Sequence, residues 1–214
     1  MLISVPYVLD AADENIVANF LKKPPAEIVG AYWVSDEAKI FKGKAKAYYI
    51  KIQENRCCYC MRQVDTNNHK LWDLEHIVSR DARPKFMFTP NNLAVSCADC
   101  NTAKRETNVL TNEQAVQFPK ASNSFKIVHP ALDNYDDHIG IIGGLIYYSK
   151  DSKKGTFTIA TCNLARFAAF FESRKNNVCD DRYLKQVGEI CLAKDKAAAK
   201  VIAQEILSKY DIIE

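Results

Sequence analysis

Two features of this sequence have residue types and spacing that can do chemistry. Four cysteines fall into two Cys-x-x-Cys pairs, Cys57 with Cys60 in RCCYCMRQV and Cys97 with Cys100 in SCADCNTAK, with 36 residues between the pairs. Such a pair makes a tight turn that aims two thiolates at one tetrahedral cation, and two pairs complete the four-sulfur shell of structural zinc. Cys58 could take the place of Cys57, but a Cys-x-Cys pair strains the turn, so Cys57 is the expected ligand. The second feature lies between the pairs. WDLEHIVSR, residues 72–80, sets Glu75 beside His76 in an otherwise apolar run. An acid next to an imidazole fits the lip of a metal site better than the middle of a buried strand.

The elements that must position these residues follow from the local pattern. LWDLEHIV alternates loosely and is rich in strand formers, and SRDARP breaks it near His76. NNLAVSC reads as a short returning strand, and ADCNTAKRETN as a helix that begins at the second cysteine pair. The predicted order is strand, loop, strand, helix, with zinc closing it. Successive strand residues point to opposite faces, so Glu75 and His76 share a site only where the strand ends; Asp73 has the parity of Glu75 and is the alternative acid.

LEHIV, then NNLAVSC, then CNTAK together resemble the HNH endonuclease motif, over about residues 45–110. The resemblance implies a ββα-metal core, often with a four-cysteine zinc site, in which His76 matches the first histidine. Asn92 matches the middle asparagine, Asn101 the last position, and Glu75 the acid beside the histidine. Asn91 neighbours Asn92, but adjacency to Leu93 favours Asn92. Many family members have a proline shortly after the histidine-isoleucine pair; here Val78-Ser79 stands there.

Hydrolysing a phosphodiester needs an activated water, charge neutralisation and a stabilised leaving oxygen. An imidazole that titrates near physiological pH suits His76 as general base. A hard cation with oxygen ligands, Mg²⁺ or Mn²⁺, fits Glu75 and the side-chain oxygen of Asn101. Asn92 is expected to bridge backbone groups across the strand pair and orient the histidine. Arg80, Arg83 and Lys85 after the strand, and Lys104 and Arg105 on the helix, are candidate contacts to DNA phosphates. His69, His129 and His138 have no such company and are not expected to be ligands.

The rest of the 214-residue chain suggests one compact domain with appendages. The expected fold class is α+β: a helical N-terminal segment (1–45), the nuclease core (46–115) and a mixed α/β C-terminal extension (116–214). Residues 1–56 look helical, punctuated by Pro24-Pro25, with Ser35, Asp36 and Glu37 as a helix start. KIFKGKAKAYYIKIQENR, residues 39–56, holds six basic residues against one acid and, with Tyr48 and Tyr49 interleaved, could track phosphates or form a solvated helix face. Beyond residue 119, FKIVHPAL, GIIGGLIYYS and GTFTIAT read as strands with DSKKG as a turn, followed by helices within NLARFAAFFESRK and the segment from residue 182. Cys162, Cys179 and Cys191 lack paired spacing and read as small buried hydrophobes.

HPALDNYDDHI, GTFTIATCNLARF and ESR in this tail are similar to nuclease subunits of Septu-type and retron-linked phage defence, which implies an ATPase partner. The chain itself contains no G-x-x-x-x-G-K-[ST] segment, so nucleotide control would come from that second protein. No run of apolar residues has the length of a membrane span and the first residues lack a basic, hydrophobic leader pattern, which predicts a cytoplasmic location where thiols bind metal instead of pairing. The net charge of +3 does not by itself require a nucleic-acid partner. A metal-dependent endonuclease is the leading expectation; a zinc-stabilised nucleic-acid-binding module, or a regulatory subunit without free-standing activity, is the alternative.

Overall fold

The structure, a computed structural model, describes residues 2–66, 68–168, 185–186, 188–190, 192–193 and 195–209. The chain forms two compact units: Met1–Phe125 with His129–Asp133, and Lys126–Val128 with Asn134–Glu214. It is a mixed α+β chain with small sheets. Among the described residues no helix is long and apolar enough to cross a membrane.

In the first unit, α1 (Ala11–Leu21) starts at Asp10, whose carboxylate accepts from the Asp13 amide while the Asp13 carboxylate accepts from the Asp10 amide. α2 (Asp36–Ile52) starts where the sequence predicts, with the Ser35 hydroxyl accepting from the Ala38 amide at 3.2 Å and Asp36 and Glu37 in the first turn. Its apolar stripe, Ala38, Phe41, Ala45 and Tyr49, is fully buried at helical spacing. Phe41 packs edge-on to Phe88 and Trp33, in a cluster that also takes in Phe20 and Tyr32.

α2 leads into the first cysteine turn, and two strands follow it. β1 (Trp72–His76) pairs antiparallel with β2 (Leu93–Cys97), His76 opposite Leu93 and Trp72 opposite Cys97. α3 (Ala98–Lys104) begins immediately after β2. The strand, loop, strand, helix order is therefore present as expected. Buried Gln53 extends the sheet edge: its amide donates to the Val95 carbonyl at 2.9 Å and accepts from the Val95 amide at 2.7 Å, as a neighbouring strand would.

The second unit departs from the sequence reading in two places. GTFTIAT is a helix, not a strand: α4 (Lys153–Thr161) is capped by the Ser152 hydroxyl, which accepts from the Gly155 amide. Gly155, Thr158 and Ile159 are its buried residues, at helical and not alternating spacing, so tertiary burial overrides the β-branched composition. A Cβ on Gly155 would clash with the His138 carbonyl oxygen, so only glycine fits there. FKIVHPAL is not a strand either. Phe125 makes one isolated bridge with Leu110, and in the second unit the Val128 amide donates to the Thr158 hydroxyl instead of a strand partner.

GIIGGLIYYS is a hairpin, β3 (Ile139–Ile142) with β4 (Ile146–Ser149), turning through Gly143 and Gly144, both at positive φ. Ile146 and Tyr148 pack with Ala199, Ala203 and Ile206 of α5 (Lys196–Lys209). The helix expected in NLARFAAFFESRK falls mostly on residues outside those described, as do Cys179 and Cys191.

Candidate metal centre and adjoining cleft

Local hydrogen bonding folds the first cysteine pair into its turn. The Met61 amide donates to the Cys57 carbonyl, the Cys57 amide to the Arg62 carbonyl, and the Tyr59 amide to the Cys57 Sγ at 3.5 Å; Met61 takes a positive φ of 57°. The Cys58 amide donates to the Val95 carbonyl at 3.0 Å, which pins this turn to β2. The second pair straddles the β2–α3 junction, with Cys97 ending the strand and Cys100 in the first helical turn.

The Sγ atoms of Cys57, Cys60, Cys97 and Cys100 all lie within 4.8 Å of one another. A tetrahedral zinc–thiolate shell has sulfur–sulfur edges of about 3.8 Å, so small side-chain adjustments fit the ion and the four cysteines can hold a metal such as zinc. Burial raises the Cys57 thiol pKa, but contacts from Cys100, Cys58, Cys60 and Cys97 bring it well below its ordinary value, while contact with Cys57 pushes Cys100 up. Four thiolates this close need a cation between them. Cys162 is buried, as a small hydrophobe would be.

A cleft of about 530 Å³ opens beside this centre, lined among others by Glu75, His76, Arg80, Asn101, Lys104 and Arg105. Its acid is held firmly. Glu75 is 4% exposed, and its Oε1 accepts from the Tyr59 hydroxyl at 2.9 Å and from Lys104 Nζ at 2.7 Å. Burial raises its carboxyl above the usual range, and Lys104 and Tyr59 oppose that rise. Tyr59 belongs to the first cysteine turn, so the sulfur cluster and the carboxylate are joined by one residue.

β1 is regular to its end, and Glu75 and His76 contact different neighbours. The His76 ring meets Trp33 edge-to-face at 4.5 Å, and its Nε2 lies 3.0 Å from the Met87 carbonyl oxygen. A carbonyl only accepts, so Nε2 carries the proton and Nδ1 keeps the lone pair. The expectation of a ring titrating near neutrality is corrected. Burial, then Arg80, Lys104 and Lys42, push its pKa down to about 3, so the imidazole is neutral throughout the physiological range.

Asn92 has no solvent exposure. Its Oδ1 accepts from the Val78 amide at 2.7 Å, and its Nδ2 donates to the carbonyls of Val78 and Phe86 at 3.0 and 3.1 Å. It thus ties Val78, just beyond β1, to Phe86, the residue before Met87, whose carbonyl meets His76. Asn101 Nδ2 donates to Asp73 Oδ2 at 2.9 Å. A carboxylate fixes that amide orientation and leaves Oδ1 as the free donor atom. Asp73, the alternative acid, therefore contacts Asn101, while Glu75 lines the cleft.

The proposed cationic contacts sort into three groups. Arg80 and Arg105 line the cleft. Lys104 also does, but it is corrected as a solvent-facing contact: it is 1% exposed, and its ammonium bonds to Glu75 and to the His76 carbonyl at 3.0 Å. Arg83 and Lys85 line a different cavity of about 370 Å³ with Pro25, Ile28 and Phe86. The tyrosines of the basic segment are also occupied internally, Tyr49 donating to the Pro90 carbonyl and Tyr48 to that of Val5. Of the remaining histidines, His138 Nδ1 meets the Ser152 hydroxyl and His129 Nδ1 accepts from the Ala131 amide.

Sequence reasoning missed Tyr59, Gln53 and the roles of Lys104 and Asp73. Only the proximity of Tyr59 to the cysteines gave a signal. No family model, curated protein or solved structure matches the chain.

Proposed function

We propose that the chain is a metal-dependent endonuclease of the HNH type that hydrolyses DNA phosphodiester bonds in the His76 cleft. The observation that carries this reading is that Glu75, His76 and Asn101 all line one cleft, in a strand-strand-helix frame that also carries a four-cysteine cluster. His76 offers the Nδ1 lone pair to the attacking water, because Met87 holds the other nitrogen protonated; with a pKa of about 3 the buried ring is a weak base in the resting cleft and gains basicity from the negative charge of a bound phosphate. Asn92 keeps that geometry by clasping the loop. Glu75 through its second carboxylate oxygen, Oε2, and Asn101 through Oδ1 would hold Mg²⁺ or Mn²⁺. The ion would supply charge neutralisation on the phosphate and on the leaving 3′ oxygen. Arg80 and Arg105 place cations where flanking phosphates enter. The resemblance of the tail to Septu-type and retron-linked subunits extends this proposal to phage defence under an ATPase partner.

A second reading has its own support. The buried Glu75–Lys104 ion pair gives the acid a purely structural partner, as a zinc-stabilised nucleic-acid-binding module would. Plasmid nicking by wild type and His76→Ala, with and without Mg²⁺ and with zinc content measured, separates the two. The endonuclease reading expects Mg²⁺-dependent nicking by wild type alone. Zinc-loaded wild type that binds DNA but never nicks it, alone or with any ATPase that copurifies with it, overturns that reading.

A further inference from the structure

The lysines of α2 divide by face. Lys44 Nζ is held by Asp10 at 2.7 Å and Asp13 at 3.1 Å, on the side of α1. Lys39, Lys42 and Lys46, at i, i+3 and i+7, share another face. Among the described residues Lys39 pairs with Asp36 alone, in a highly exposed contact of a kind that exchanges readily with solvent ions. Lys42 Nζ donates to the Trp33 carbonyl at 3.1 Å and sits 5.4 Å over the Trp33 ring. Burial and then Arg80, Lys39 and Lys46 lower its pKa, and among the described residues no carboxylate opposes them. Arg80, whose charge acts on Lys42, lines the cleft, and the Trp33 ring beneath Lys42 meets that of His76.

Gly43 lies within the same face. It is exposed in the interior of a 17-residue helix, has an ordinary helical backbone, and a Cβ added there would meet nothing within 4 Å. Neither packing nor a turn requires glycine, and glycine in a helix interior lowers stability relative to alanine. A bare patch ringed by lysines suits a long polyanion that must approach the helix closely.

We infer that the Lys39, Lys42, Gly43 and Lys46 face of α2 docks the sugar–phosphate backbone of duplex nucleic acid and leads it past Arg80 into the His76 cleft. The choice of nucleic acid over an acidic protein rests on the proposed phosphodiester cleavage, through Arg80, which acts on Lys42 and lines the cleft. Binding is measured separately from cutting.

The test is fluorescence anisotropy with a fluorescein-labelled DNA duplex of about 20 base pairs, without added divalent metal, over a salt series. Lys39→Ala/Lys46→Ala is expected to reduce the slope of log affinity against log salt by about 1.8, because two phosphates are no longer neutralised by the protein. Gly43→Glu gives the sharper result. Its carboxylate pairs along the helix with Lys39 and Lys46, so Tm rises by about 2–4 °C. The same carboxylate repels phosphates, so duplex affinity falls at least about tenfold. A better-folded protein that binds DNA worse is not explained by misfolding. Gly43→Glu binding within about twofold of wild type, or an unchanged salt slope in the double variant, overturns the inference. So does wild type that ignores the duplex yet captures polyglutamate. If these variants bind normally while wild type nicks DNA, the surface is refuted and the endonuclease reading stands. If binding depends on α2 but nothing is nicked, the reverse holds.

Discussion

Replacing Lys104 by methionine tests how the cleft is held together. Its ammonium lies 2.7 Å from Glu75 Oε1 and 3.0 Å from the His76 carbonyl, and the two side chains of the ion pair are 1% and 5% exposed. Removing one member of such a pair leaves an uncompensated buried charge and costs about 3–5 kcal/mol. For a chain of this size that lowers Tm by roughly 6–20 °C. Glu75→Gln in the same molecule removes the orphaned charge while its amide oxygen still accepts from Tyr59, so the double variant recovers most of the loss. The unrecovered part is the bond to the His76 carbonyl, about 1 kcal/mol.

The sign of the pH dependence is also fixed. Without Lys104 the Glu75 carboxyl titrates higher still in the folded state than in the unfolded chain, so the folded form keeps the proton. Its contribution to stability is then present at low pH and lost as pH rises, which makes the Lys104→Met deficit smaller near about pH 5 than near about pH 8. Chemical denaturation of wild type, both single variants and the double variant at the two pH values reads all of this. A Lys104→Met chain within about 1 kcal/mol of wild type, or a double variant no more stable than Lys104→Met, refutes the buried-pair argument.

The other predictions concern neighbouring residues. His76 is buried neutral with a folded pKa depressed to about 3, so its contribution is complete above about pH 6.5 and is lost as pH falls from there to about 3, by up to about 1.4 kcal/mol per pH unit. His76→Asn should flatten that part of an acid-denaturation curve. Asn92→Ala removes three buried hydrogen bonds and should lower stability by about 3 kcal/mol or more, read by urea denaturation. Cys97→Ser should lose bound zinc and the cooperative melt, whereas Cys58→Ala, outside the four-sulfur set, should keep one zinc per chain by elemental analysis.

Parts of the fold were legible because their causes are local. Paired cysteines, the Ser35 cap and the strand formers of LWDLEHIV each act within a few residues, and the cysteine cluster, the cap and the strand appear in place, although burial along the strand does not alternate. The bridging side chain of Asn92 was legible through the family resemblance. Lys104 read as a surface cation because nothing near it in sequence announces Glu75, 29 positions earlier. Gln53 gave no sign that it would complete a sheet edge, since its partner Val95 lies 42 residues away. In residues 155–161 the β-branched composition argued for a strand, and a serine cap with burial of one helical face overruled it. The ring of His76 was read at its solution pKa because one sequence does not reveal that Trp33 and Met87 enclose it.

Tyr59 sits inside the first cysteine turn and donates to Glu75. Oxidising or stripping the sulfurs would slacken that turn and draw the phenol away from its carboxylate as the cooperative fold is lost. Damage to the thiols would then be felt at Glu75, as the loss of one of the two groups that hold its Oε1.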